Sequence, residues 1–170
     1  MSAATGIGRY LPIYLNDHLA GATAGVELAR RLEAANREVE ALAPTLRQVC
    51  GEIEVDRETL EDVLDRLGVS RSPVKPGAAW LLERLGRLKP NGHLRGYSPL
   101  SRVLELEGLA MGIVGKTELW RTLSGLDLDE RAGVDFEALT ARAEEQHEAV
   151  TALHHVAVAV LGAPTEEAPR

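Results

Sequence analysis

Ionisable side chains lie among the apolar residues of four stretches whose apolar positions are spaced as in a helix. His18 lies between Leu15 and Leu19, and Asp56 follows Ile53 by about one helical turn. The third and fourth stretches place further polar residues on their apolar sides, namely Glu107, Glu118, Gln146, His147 and His154, with Glu144 at the edge. A charge buried without a partner is very costly, so we expect these groups to pair, to be neutral or to bind a metal.

A metal site inside a helical bundle is one interpretation of these residues. Carboxylate oxygen and imidazole nitrogen atoms suit iron, manganese or zinc. Di-iron bundles take a Glu from two helices and a Glu-x-x-His motif from the other two. The stretch EEQH supplies one such motif, whereas the second stretch offers only Glu52 and Asp56, one turn apart. The predicted ligands are His18, Asp56, Glu107, Glu118, Glu144 and His147, and the corresponding activity would be of the oxidoreductase type.

The same residues also have a purely structural interpretation. Helical bundles often carry an internal His–Asp or Glu–Arg pair that fixes the register of the helices. Arg57 stands beside Asp56 and could supply such a pair. The protein would then be a non-catalytic interaction bundle or a stress-related bundle. The sequence leaves both interpretations open, and it names no catalytic residue.

Four long helices must position these groups. The apolar spacing predicts them over residues 13–36, 44–67, 99–123 and 135–161. Pro44 and Pro99 suit first helical turns, and Ser98 and Asp135 suit N-caps. On the third helix we expect the apolar side, which carries Leu100, Val103, Leu104, Met111 and Val114, to face the core.

The connections between the predicted helices define the expected fold. The first two helices and the last two are joined by short loops, whereas residues 68–98 form a long crossover with a short helix at 78–88. Short loops make antiparallel neighbours, and a long crossover lets the third helix run parallel to the second. We therefore predict an all-α antiparallel four-helix bundle over residues 13–161. Residues 1–12 would form a lead-in, and residues 162–170 a disordered tail.

A loose match to a phosphate-binding loop occurs within the third predicted helix. The segment AMGIVGKT, residues 110–117, ends in the Gly-Lys-Thr of that motif. A true phosphate-binding loop follows a strand of a parallel sheet, and this chain offers no set of such strands. We interpret Gly108, Gly112 and Gly115 instead as a small-residue face that lets another helix or the crossover pack closely.

The crossover reverses the sign of the charge in an otherwise acidic chain. Residues 71–95 carry six basic residues and one acid, Glu83, while the whole chain has a net charge of −7. One interpretation is a partner-binding or anion-binding surface. Its predicted residues are Lys75, Trp80, Arg84 and Arg87. In the alternative, the apolar side of the short helix caps the bundle, and Trp80 simply stacks on Arg84.

Composition bounds the class of protein. A length of 170 residues suits one domain, and 45% apolar with only 4% aromatic residues suits a helical core of Leu, Val and Ala. The acidic charge is a poor fit to nucleic-acid binding. No apolar run approaches the ~20 residues of a membrane span, and no signal peptide is evident. We therefore expect a cytoplasmic protein without a membrane partner, and a homodimer is compatible with a helical bundle.

Two resemblances extend these expectations. Two helical hairpins joined by a long crossover, together with EEQH, resemble the ferritin-like superfamily over residues 13–161, which implies a metal-binding bundle. Most of the chain also resembles an uncharacterised actinobacterial protein family. The segments that carry this second resemblance are DHLAGATAGVELARR, EIEVDRETL and SPLSRVLELEGLAMGIVGKTELWRTL. It implies no particular activity.

Overall fold

The computed structural model describes residues 7–72 and 97–162, and within these ranges the chain is all-helical. Its helices are α1 (Leu11–Ala35), α2 (Ala43–Arg66), α3 (Pro99–Gly125), the one-turn α4 (Asp129–Ala132) and α5 (Phe136–Ala157), followed by a 3-10 helix (Val158–Gly162). The all-α prediction is confirmed. The predicted short helix at 78–88 and most of the predicted tail lie outside the described residues.

Local sequence signals set the starts of two long helices. The Ser98 hydroxyl oxygen accepts a hydrogen bond from the Ser101 backbone N–H at 3.0 Å, and the Asp135 carboxylate accepts one from the Ala138 N–H at 2.9 Å. Both residues have extended backbone, as N-caps require. The predicted N-caps are therefore confirmed. The fourth predicted helix ends earlier than expected, because the chain tightens into the 3-10 helix after Ala157.

Contacts between helices fix their directions. Tyr14, near the start of α1, donates a hydrogen bond to Thr122, near the end of α3, at 3.3 Å. Arg31, near the end of α1, lies 2.6 Å from the Glu105 carboxylate near the start of α3. α1 and α3 are therefore antiparallel.

The remaining neighbours are antiparallel as well. Asn16 at the start of α1 bonds Ser70 and Ser72, which follow the end of α2, at 3.1 and 2.6 Å. Near the opposite ends of α3 and α5, Arg121 bonds Glu144 at 2.5 Å and Glu107 bonds His154 at 3.0 Å. Since α2 and α3 both run opposite to α1, these two helices run in the same direction.

The end of α2 is clamped to the turn after α4. The Arg66 guanidinium donates to the carbonyl oxygens of Ala132 and Gly133 at 3.1 and 3.3 Å. Gly133 has a φ of 63°, a left-handed conformation that glycine adopts most easily. This clamp joins the first helical hairpin to the loop that leads into α5.

The core row of α3 differs from the predicted one. Met111 is 71% exposed and Val114 is 47% exposed, so their predicted core positions are wrong. Val103 is buried as predicted, and the other buried residues of α3 include Leu106, Leu109, Ile113, Trp120 and Leu123. α3 carries two apolar rows, and periodicity alone does not decide which of them packs inward.

In the part of the chain that the structure describes, no helix is long and apolar enough to cross a bilayer.

Candidate functional site

The Asp56 carboxylate is the centre of a buried polar cluster that links three helices. Asp56 lies on α2 and is 3% exposed. One of its oxygens accepts from Arg142 of α5, and the other accepts from Lys116 of α3 and from the Gln146 side-chain amide of α5, the last at 3.1 Å. Lys116 also donates to the Gln146 amide oxygen. The predicted inward positions of Asp56 and Gln146 are thus confirmed.

Two cations face one carboxylate in this cluster. The Lys116 side chain is 14% exposed and that of Arg142 is 33% exposed. Burial lowers the pKa of Lys116, and the attraction of Asp56 offsets part of this shift. Both Asp56 oxygens already accept hydrogen bonds from cations. The arrangement therefore favours a structural tie between helices over a free base or metal ligand.

The cationic partners of Asp56 were not predicted from the sequence. The suggested partner was Arg57, but Arg57 bonds Glu61 on its own helix at 2.5 Å, so that pairing is wrong. Together with Arg142, the actual cationic partner is Lys116, the lysine of the apparent phosphate-binding loop, and that whole segment lies within α3. The sequence did contain a signal for this contact. Lys116 follows the buried Ile113 by three residues, which places both on the same side of α3.

A second buried cluster surrounds Glu105, which was also missed. Glu105 is fully buried; it accepts a hydrogen bond from the Tyr97 hydroxyl at 3.0 Å, and Arg31 lies 2.6 Å from its other oxygen. Burial raises the pKa of Glu105 and also that of Tyr97. Asn36 completes the cluster by donating to Tyr97 at 3.3 Å and accepting from Arg102 at 2.5 Å. This cluster ties the end of α1 to the start of α3.

Two predicted metal ligands lie apart from both clusters. His18 is half-buried against the Tyr14 ring, with ring centroids 4.5 Å apart, and burial lowers its pKa. Glu107 is half-exposed and pairs with His154 at 3.0 Å. The expected inward position of Glu107 is wrong, because α3 turns its other apolar row toward the core.

Three further predicted ligands meet at an open pocket between α3 and α5. Glu118, Glu144 and His147 line this pocket of about 290 Å³, together with Arg121. Arg121 bonds Glu118 at 2.6 Å and Glu144 at 2.5 Å. Glu118 is exposed, so its predicted inward position is also wrong. Asp56, Glu107 and His18 do not line the pocket.

No cluster of ligating side chains among residues 7–72 and 97–162 supports metal binding. Within these ranges, no group of three or more His, Cys, Asp or Glu side chains is arranged to hold a metal ion. The bound partners of Asp56, Glu118 and Glu144 are cations, which repel a divalent ion.

The predicted partner-binding surfaces have different outcomes. Lys75, Trp80, Arg84 and Arg87 lie outside the described residues. On α3, a Cβ atom added to Gly112 or Gly115 would meet nothing within 4 Å. None of the described helices therefore packs against these two glycines, and the predicted packing of the crossover on this face involves residues outside the described ranges.

Comparisons with protein-family models, with curated proteins and with solved structures gave no match to this chain.

Proposed function

We propose that this protein is a non-catalytic helical scaffold for protein interaction, in which the internal charged groups hold the helices in register. The observation that carries this proposal is the environment of Asp56. Its buried carboxylate is occupied by Arg142, Lys116 and Gln146 from two other helices. Breaking such a network is costly, so it specifies which helices pair and at what height.

The proposal includes a ferritin-like arrangement of the four long helices. It is supported by the antiparallel neighbours, by the common direction of α2 and α3, and by the long connection between these two helices. In a di-iron bundle, facing helices direct carboxylates and imidazoles into the interior. Here α3 and α5 direct Lys116 and Arg142 toward the single buried carboxylate of α2. In this proposal the protein has the helix arrangement of a di-iron bundle but does not use it to bind metal.

Metal analysis of the full chain tests this proposal. The protein would be purified without chelator, incubated separately with Fe²⁺, Mn²⁺ and Zn²⁺, desalted, and analysed for bound metal. A scaffold without a metal site retains far less than one ion per chain. Retention of about one ion per chain or more would overturn the proposal. The Glu107→Ala and Glu144→Ala variants would then identify which predicted ligands hold the ion.

A further inference from the structure

The outward side of α3 carries a second row of residues at the spacing of a helix–helix contact. The row is Glu107, Met111, Val114, Glu118 and Arg121, with steps of four, three, four and three. These steps are the spacing of the seam positions in paired helices, and apolar residues occupy two of the five positions here. Its apolar members project into solvent, since Met111 is 71% exposed and Val114 is 47% exposed. Among the described residues, the buried contacts of α3 use its other side, whereas the charged ends of this row make only the surface ion pairs with α5.

The backbone beside this row is accessible to another helix. Gly112 and Gly115 adjoin Met111 and Val114, and nothing lies within 4 Å of a Cβ atom built on either glycine. Small residues let two helix axes approach closely, since no side chain stands between them. The surface thus carries a projecting side chain, Met111, and also open backbone positions at the glycines where a side chain of another helix can fit.

The charges of the row are complementary to those of a second, antiparallel copy. Glu107 lies seven residues before Val114, and Arg121 lies seven residues after it. If two copies of α3 cross antiparallel with Val114 at the centre, Glu107 of each copy lies beside Arg121 of the other. A twofold interface is isologous, so this pairing occurs twice. The same surface is therefore self-complementary in charge.

We propose that the outward row of α3 is the contact surface of a homodimer in which two copies of α3 pack antiparallel about Val114. This inference rests on the proposed scaffold function and names a second copy of the chain as its partner.

The existing contacts of the row do not prevent this pairing. Arg121 bonds Glu118 and Glu144, and Glu107 bonds His154, but the four carboxylate and guanidinium side chains are 48–60% exposed. Exposed ion pairs of this kind contribute little, so exchanging them costs little. One helix from each copy makes a small interface, and the dimer is therefore weak and dependent on concentration.

A charge-exchange experiment on the full chain tests the proposal. Sedimentation velocity over a range of concentrations should show the wild type passing from monomer to dimer. Glu107→Arg places two arginines opposite each other, and Arg121→Glu places two glutamates opposite each other. Each variant alone should raise the dissociation constant about tenfold or more. Mixing the two variants restores both opposite-charge pairs, so the mixture should form a heterodimer at wild-type concentrations.

A matched pair of apolar positions provides the control. Val114 on α3 and Val55 on α2 are equally exposed, at 47% and 48%. Val114→Glu should abolish the dimer, and Val55→Glu should leave it unchanged, with thermal unfolding showing that both variants fold. Three results would each overturn the proposal: a wild type that stays monomeric at about 1 mM, a dimer unaffected by Val114→Glu, or a mixture of charge variants that does not associate. A monomer that also retains no metal would overturn the dimer alone and leave the scaffold proposal standing.

Discussion

Asp56 of α2 and Lys116 of α3 form a buried ion pair between two helices that have no short connection in the chain. The two residues are 60 positions apart in the sequence, and their side chains are 3% and 14% exposed. The pair joins the α1–α2 hairpin to the α3–α5 hairpin through the middle of the protein. The pair is asymmetric, because Asp56 has a second cationic partner, Arg142, whereas Lys116 has no second anionic partner in the cluster.

This asymmetry predicts unequal effects of removing the two charges. Asp56→Asn removes the carboxylate that Lys116 and Arg142 share and leaves two neighbouring cations, which should lower the free energy of unfolding by about 3–5 kcal/mol. Lys116→Met should cost clearly less, because Asp56 keeps Arg142 and Gln146. Burial also lowers the pKa of Lys116, so keeping its ammonium group charged in the folded state costs free energy. Urea denaturation at pH 7 measures both changes.

The double variant Asp56→Asn with Lys116→Met is the control for this comparison. It removes one of the two unpaired cations, so it should be more stable than Asp56→Asn alone. Equal losses from the two single variants, with no recovery in the double variant, would show that Lys116 and Asp56 do not act as a coupled pair.

The buried carboxylate of Glu105 leads to a second prediction, which concerns how the free energy of unfolding depends on pH. Burial raises the pKa of Glu105 above its ordinary value of 4.5, so the ionised carboxylate destabilises the folded state. Below pH 4.5 the group is protonated in both the folded and the unfolded state, and this cost is absent. As the pH rises from 4.5 toward the raised folded-state pKa the cost grows, and above that pKa it stays constant.

Glu105→Gln should therefore raise the free energy of unfolding at pH 7, and the gain should shrink as the pH falls toward 4.5. The Tyr97 hydroxyl keeps an acceptor in the glutamine, and Arg31 is 44% exposed and loses little. Urea denaturation of both proteins at several pH values between 4.5 and 7 measures the difference. If the variant were less stable by the same amount at every pH, the pairing with Arg31 would outweigh the cost of burial.

Two glycines in different backbone conformations should respond oppositely to alanine. Gly133 has a φ of 63°, and a Cβ there would overlap the Arg66 guanidinium. Gly133→Ala should cost about 1–2 kcal/mol, because it strains the backbone and displaces the Arg66 clamp. Gly51 lies in the exposed interior of α2 with nothing within 4 Å of an added Cβ, so Gly51→Ala should stabilise by about 0.5–1 kcal/mol. Thermal and urea unfolding distinguish the two signs.

Local features of the fold were accessible from the sequence, and long-range pairings were not. Ser98 and Asp135 were identified as caps because capping depends on residues only three positions apart. Asp56 was correctly placed inside because α2 has one apolar row. α3 has two such rows, and the wrong one was predicted to face inward. Glu107 was therefore expected inside, whereas the structure buries Glu105.

The contact of Lys116 with Asp56 depends on how α2 and α3 are rotated relative to each other. The spacing of residues within either helix does not determine that rotation. This is why the centre of the candidate site was found in the sequence while its partners were not.

The clamp of Arg66 on the Ala132 and Gly133 carbonyls has a consequence for a divided chain. With the contacts of Asp56 and Glu105, it binds the segment before residue 73 to the segment after residue 96 at both ends and in the middle. From these contacts we expect the two halves to stay associated without a covalent link. Coexpressed as separate polypeptides, residues 1–72 and 97–170 should copurify as a folded complex, and a tag on either piece would recover the other.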